Sequence, residues 1–165
     1  FMDKARARVY NVFKKHALRL GQSLNLPEDH LSFECDFMAV LAERTKERLV
    51  EGDDAEALRL LTTQRSFLTR HIASWYPRFA QLALSLSKER FYHGALEFAQ
   101  DFFALDDDLL DDAIAAVEDE TGLRAEDVAL DMEWLETPPR DDEADDEADD
   151  EADRAGDEAW KVASC

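Results

Sequence analysis

The 165 residues carry 19 Lys+Arg against 39 Asp+Glu, a formal net charge of −20, with 45% hydrophobic side chains, five glycines and four prolines. The acidity is uneven: residues 1–100 hold 15 basic and 13 acidic side chains, whereas residues 101–165 hold 4 and 26. Duplex nucleic acid is excluded as a partner, because phosphate binding needs a concentrated basic surface, and no apolar run approaches the ~18 residues that cross a bilayer. The length suits one domain with a sizeable core, and abundant Ala, Leu, Glu and Arg favour helix over sheet. Phe1-Met2-Asp3-Lys4 has no apolar h-region, so no signal peptide is expected, and a start on Phe rather than Met suggests a fragment of a longer chain. Cys35 and Cys165 stand in unrelated contexts. Free thiols fit a reducing cytoplasm, and Cys35 is expected as a small core or boundary residue.

Residues 3–20 read as an amphipathic helix, with Ala5, Val9, Val12, Phe13, Ala17 and Leu20 at three- and four-residue steps and Gly21 as its stop. A second helix is expected from a cap at Asn25, with Pro27 in the first turn and Glu28 completing a capping box, to about Glu51. Its buried stripe is Phe33, Phe37, Met38, Leu41 and Leu49. A third spans about Ala55–Ser74, with Leu58, Leu61, Leu68 and Ile72 inward, until Pro77 breaks the path. A short helix, Arg78–Ser87, and a longer one, Phe91–Leu105, follow; Asp106-Asp107-Asp108 reads as a junction before helices at Leu109–Glu120 and Leu123–Leu135. No strand pattern of useful length occurs, so the fold class is all-α, a compact multi-helix bundle over residues 1–135. From 136 on, Pro138-Pro139 and three successive Asp-Asp-Glu-Ala repeats, Asp141 to Ala152, read as a disordered acidic tail, since like charges repel and little apolar surface remains to bury.

Two segments mix hydrogen-bonding side chains with aromatics. In the first, Pro27, Glu28, Asp29 and His30 lead into Glu34 and Phe37. Helical spacing sets His30 and Glu34 on one face, either as a well-made helix start or as the mouth of a groove held by a Pro-stiffened hinge. In the second, Gln64, Phe67, His71 and Trp75 fall at i, i+3, i+7 and i+11. Aromatics at that spacing suit a core, but a buried polar group without a partner costs roughly 1–3 kcal/mol. Gln64 and His71 therefore bond each other, a neighbouring helix or a ligand. Neither segment supplies a nucleophile with base and oxyanion loop, or the Glu-x-x-His pairs of a di-iron bundle. The competing reading is a helical acid–base or metal-dependent enzyme using His30, Glu34 and His71, and a third is an interaction module that binds through the acidic tail.

Pro27-Glu28-Asp29-His30-Leu31, followed by Glu34, Phe37, Met38 and Leu41, resembles the Glu-Pro-x-Asp-His hinge motif of the TorD/DmsD family of molybdoenzyme maturation chaperones. Gln64, Phe67, His71, Trp75 and Phe79 are similar to that family's second signature, in the right order and spacing. The likeness covers residues 5–105; Leu26 stands where the family usually carries Glu. It implies the C-terminal half of a cytoplasmic, non-enzymatic chaperone that binds the twin-arginine signal peptide of a molybdenum or tungsten oxidoreductase and delays export until cofactor insertion. It also implies weak guanine-nucleotide binding at the hinge, no cofactor beyond the client's molybdopterin, and an exposed apolar face that favours a domain-swapped homodimer. The expected signal-peptide site is Asp29, His30, Glu34, Phe37, Gln64, Phe67, His71 and Trp75, with Pro27 and Glu28 as hinge.

Overall fold

The computed structural model describes residues 3–16 and 30–128. Its elements are α1 (Asp3–Lys15), α2 (Leu31–Glu51), α3 (Asp54–Phe67), a π turn (Leu68–Ile72), α4 (Tyr76–Leu86), α5 (Arg90–Thr121) and the short α6 (Ala125–Val128). No strand occurs among the described residues, and none of their helices is long and apolar enough to cross a membrane. The fold is all-α, as the sequence predicts. Pro27, Glu28, Asp29, the Asn25 cap, and residues 129–165 with the acidic repeats lie outside the described residues.

The α2–α3 hairpin centres the bundle. Gly52 closes α2 in the left-handed region (φ 76°), which a residue bearing a Cβ adopts only at a cost. Asp53 then caps α3, its side chain accepting from the Glu56 amide at 3.3 Å. The facing surfaces bury Phe33, Phe37, Met38 and Leu41 from α2 and Leu58, Leu61 and Phe67 from α3. Leu49 is 43% exposed, because the stripe turns away from the core in the last turn of α2. Thr45 and Gln64 bond across the pair at 2.9 Å, so the buried Gln64 amide finds its partner on the neighbouring helix. Val9, Val12 and Phe13 seat α1 on the same core, with Phe13 and Phe37 rings 5.2 Å apart.

Three boundaries differ from expectation. The described start of α2 is capped by His30, whose backbone is extended (φ −75°, ψ 133°) and whose ring Nδ1 accepts from the Ser32 amide at 3.2 Å. Expected as one α-helix to Ser74, the third helix leaves α geometry at Leu68, and the Ala73 amide donates back to Leu68 O at 2.8 Å. Pro77 accounts for the restart that follows: without an N–H it fits only a first helical turn, and α4 begins at Tyr76.

The third correction concerns Asp106-Asp107-Asp108, which is no junction: α5 runs unbroken through it. Residues 95–121 contain neither Gly nor Pro. The buried or half-buried positions Leu96, Ala99, Phe103, Asp106, Leu110 and Val117 keep the three-four spacing across the aspartates. Beyond them, Asp111 grips Arg65 of α3 in a two-pronged ion pair. Gly122, again left-handed (φ 75°), ends the helix with its N–H on Glu118 O at 2.9 Å.

Candidate functional site

The first turns of α2 pack on the end of α3 and the π turn, so the described parts of the two signature segments meet. Phe37 and Phe67 make that junction, edge to face with ring centroids 4.7 Å apart and only 2% and 0% exposed. Gln64 is 3% exposed and donates to Thr45, so its partner is a neighbouring helix. Glu34 is 2% exposed. Four of the expected site residues thus lie inside the protein, beneath the surface that His30, His71 and Trp75 help to form.

His30 is exposed at the cap of α2. Its Nδ1 accepts the Ser32 amide at 3.2 Å and lies 2.8 Å from the Ser32 hydroxyl. Its ring stands 6.1 Å from that of Phe33.

His71 lies on the π turn, its ring stacked on Phe67 at 4.8 Å. Its Nε2 is buried and has no hydrogen-bond partner among the described residues. Burial, helped by the positive charges of Arg8 and Arg70, lowers its pKa from 6.5 to about 4. The imidazole is therefore neutral at pH 7, its ring lying against the face of Phe67.

A stability prediction follows from the sign of that shift. As pH falls below 6.5 the unfolded chain takes up a proton that folded His71 refuses until about 4. Stability is intact above 6.5, declines between those values and stops declining below the lower one. His16, also lowered to about 4, chiefly by burial, adds to the same window. His71→Phe keeps the stack on Phe67 but removes one titration. Its urea midpoint should fall less between pH 7 and pH 5 than that of the parent chain, by on the order of 1 kcal/mol in stability. Equal losses in both proteins would show that His71 does not stay neutral.

Beyond the π turn a ladder of rings begins. Trp75 lies 5.7 Å from both Tyr76 and Phe79. Tyr76 meets Phe103 at 5.0 Å and donates from its hydroxyl to Leu96 O at 3.2 Å. Phe103, Phe102 and Phe98 continue it along α5, with centroids 5.7 and 6.4 Å apart. A cavity of about 210 Å³ opens between α2, the π turn and α5, lined by Cys35, Met38, Gln64, Leu68, Phe102 and Asp106. Burial raises the Asp106 carboxyl above its usual value, aided by Asp107, and raises the Cys35 thiol, aided by Glu34 and Asp36. Tyr76, Phe98, Phe102 and Phe103 are absent from the sequence-based site. The signal existed in the aromatic spacing of residues 91–105, but which helix would lie beside Trp75 is a tertiary fact.

For the acid–base or metal reading, His30 is an exposed helix cap, whereas Glu34 is buried in α2. No group of three His, Cys, Asp or Glu able to hold a metal ion occurs among the described residues.

A family model described as nitrate reductase delta subunit matches residues 1–81. A protein named chaperone protein TorD from Vibrio vulnificus is 34% identical over 97 residues, covering 59% of this chain and 44% of the relative. Another of that name from Vibrio cholerae is 30% identical over 111 residues, 67% of this chain and 49% of the relative. A third, from Aliivibrio fischeri, is 30% identical over 97 residues, 59% and 41% of the two chains. The chain spans about half the length or less of these relatives. No solved structure matches.

Proposed function

The chain belongs to the TorD/DmsD family, that of the nitrate reductase delta subunit, and on that premise we propose that it acts as a maturation chaperone for a molybdenum or tungsten oxidoreductase. In this reading it is no enzyme. It works in the cytoplasm, holds the client's twin-arginine signal peptide and delays export until the client's cofactor is in place. Residues 1–135 are taken as the helical domain, 136–165 as its acidic tail, and weak guanine-nucleotide binding at the hinge is kept as part of the proposal.

The observation that carries the reading is the buried Nε2 of His71, without a partner among the described residues, beside Trp75 and an aromatic ladder that reaches the surface at Phe79. A buried polar atom in that position is offset only by a ligand or water. A peptide with arginines before an apolar stretch matches the chemistry. The hinge carboxylates, Asp29 foremost, would take the guanidinium groups, and the exposed His30 ring would hydrogen-bond the peptide backbone. Trp75 would cover apolar area. Glu34, Phe37, Gln64 and Phe67 would shape the floor from beneath.

Asp29→Ala combined with His30→Ala should weaken binding of a twin-arginine signal peptide at least tenfold in a calorimetric titration, while far-UV circular dichroism stays unchanged. Equal affinity in parent and variant would remove the hinge from the site.

A further inference from the structure

Among the exposed apolar residues of α5, Phe91, Ala95, Phe98, Phe102, Leu105 and Leu109 fall in alternating steps of four and three. That is the seam spacing of a helix that packs lengthwise on another helix. Phe91 and Phe98 are 79% and 71% exposed, and Phe102, Leu105 and Leu109 each at least half. At about 100° per residue, the seam centres roughly 100° from the stripe of Phe103, Leu110 and Val117 that faces the core. It is a second face, meeting the first where Phe102 and Asp106 line the same cavity. From Phe91 to Leu109 it extends about 27 Å at 1.5 Å per residue. Contiguous exposed apolar surface of this kind marks an interaction site.

Charge says what fits there. Asp101, Asp108 and Asp112, all exposed, border the seam on its solvent side, with Arg90 at its N-terminal end. Asp106, half-buried, borders it on the core side, where it lines the cavity with Cys35 and Phe102. A second copy of this chain would bring the same aspartates, and a net charge of −20, against themselves. A segment carrying Lys or Arg beside an apolar stripe would meet opposite charge along its length. The seam is also continuous with the candidate site, because the ring ladder from Trp75 through Tyr76, Phe103 and Phe102 ends on Phe98.

We infer that the α5 seam docks an amphipathic helical segment of the client, with apolar residues at three- and four-residue spacing and basic residues beside them. The inference rests on the chaperone reading for the source of that segment alone. An export signal's apolar region of roughly 7–15 residues would be about 10–23 Å long as a helix, within the length of the seam.

The test uses the full chain and two fluorescent synthetic helices of about 18 residues, with one Leu/Ala stripe and either Lys or Glu at the flanking positions. The Lys peptide should bind at least tenfold more tightly in low salt, and added salt should shrink the difference. Phe98→Ser with Leu105→Ser should weaken it at least tenfold without loss of helicity, both positions being exposed. Asp101→Asn, Asp108→Asn and Asp112→Asn together should erase the preference for Lys over Glu. Equal binding of the two peptides, or full binding by the serine variant, would overturn the inference. So would sedimentation showing a dimer that the serine variant converts to monomer, with no peptide bound by the parent. A twin-arginine signal peptide that binds parent and serine variant equally would sink the seam and leave the chaperone reading standing. If that peptide fails to bind while the Lys helix binds as described, the reverse holds.

Discussion

Replacing Phe67 by alanine lowers the stability of the folded chain by about 3–5 kcal/mol. The side chain is fully buried and sits where three parts of the fold meet. Phe37 of α2 packs edge-on at 4.7 Å, His71 of the π turn stacks at 4.8 Å, and Phe67 itself is the last residue of α3. Truncation removes the transfer free energy of the ring and leaves a cavity that two other rings cannot fill without leaving their rotamers. Against a total of roughly 5–15 kcal/mol for a domain, that is a large share. The thermal midpoint should drop by about 10–20 °C. A drop under about 5 °C would mean that Phe67 does not carry the junction between the two signature segments. The same truncation would damage any peptide site indirectly, so affinity measured on Phe67→Ala says nothing about contact with a ligand.

Sequence reasoning reached the all-α class and most of the core stripe, because three-four apolar spacing is local information. Leu58, Leu61, Leu68 and Ile72 are buried as expected, and Gly52 ends α2 as its position suggests. What failed failed where composition and periodicity disagree. The aspartates at 106–108 look like a linker, yet Asp106 occupies a position on the core-facing stripe and helix geometry carries straight through. Cutting α5 there also cut the exposed seam, whose last member, Leu109, lies beyond the aspartates. The π turn escaped for another reason. A stripe counted at i, i+3, i+7 and i+11 assumes 3.6 residues per turn, and the five-residue π turn at Leu68–Ile72 breaks that count without a local sequence signal. Of the candidate site, the pairing of Gln64 with a neighbouring helix was open to inference, whereas its partner Thr45 was not. The partnering of His71 could not be read at all, since it depends on what packs around the ring.

The second large effect concerns the ligand. Changing both arginines of a twin-arginine signal peptide to glutamine should weaken binding to this chain by about 100-fold. Each guanidinium loses charge-assisted hydrogen bonds worth about 1.5–3 kcal/mol, and about 1.4 kcal/mol is a factor of ten. The apolar stretch of the peptide is untouched by the change, so the residual affinity reports what the aromatic surface contributes alone. Salt should reduce the difference between the two peptides, and the affinity of the glutamine peptide should hardly respond. Calorimetric titration of the full chain with both peptides is the measurement on which the account stands. Tight binding of the arginine peptide and a loss near two orders of magnitude on its glutamine counterpart is the expected result. Failure of arginine peptides from several molybdoenzymes to bind, or equal binding of both forms, would contradict it and reduce the hinge, His30 and His71 to elements of helix packing.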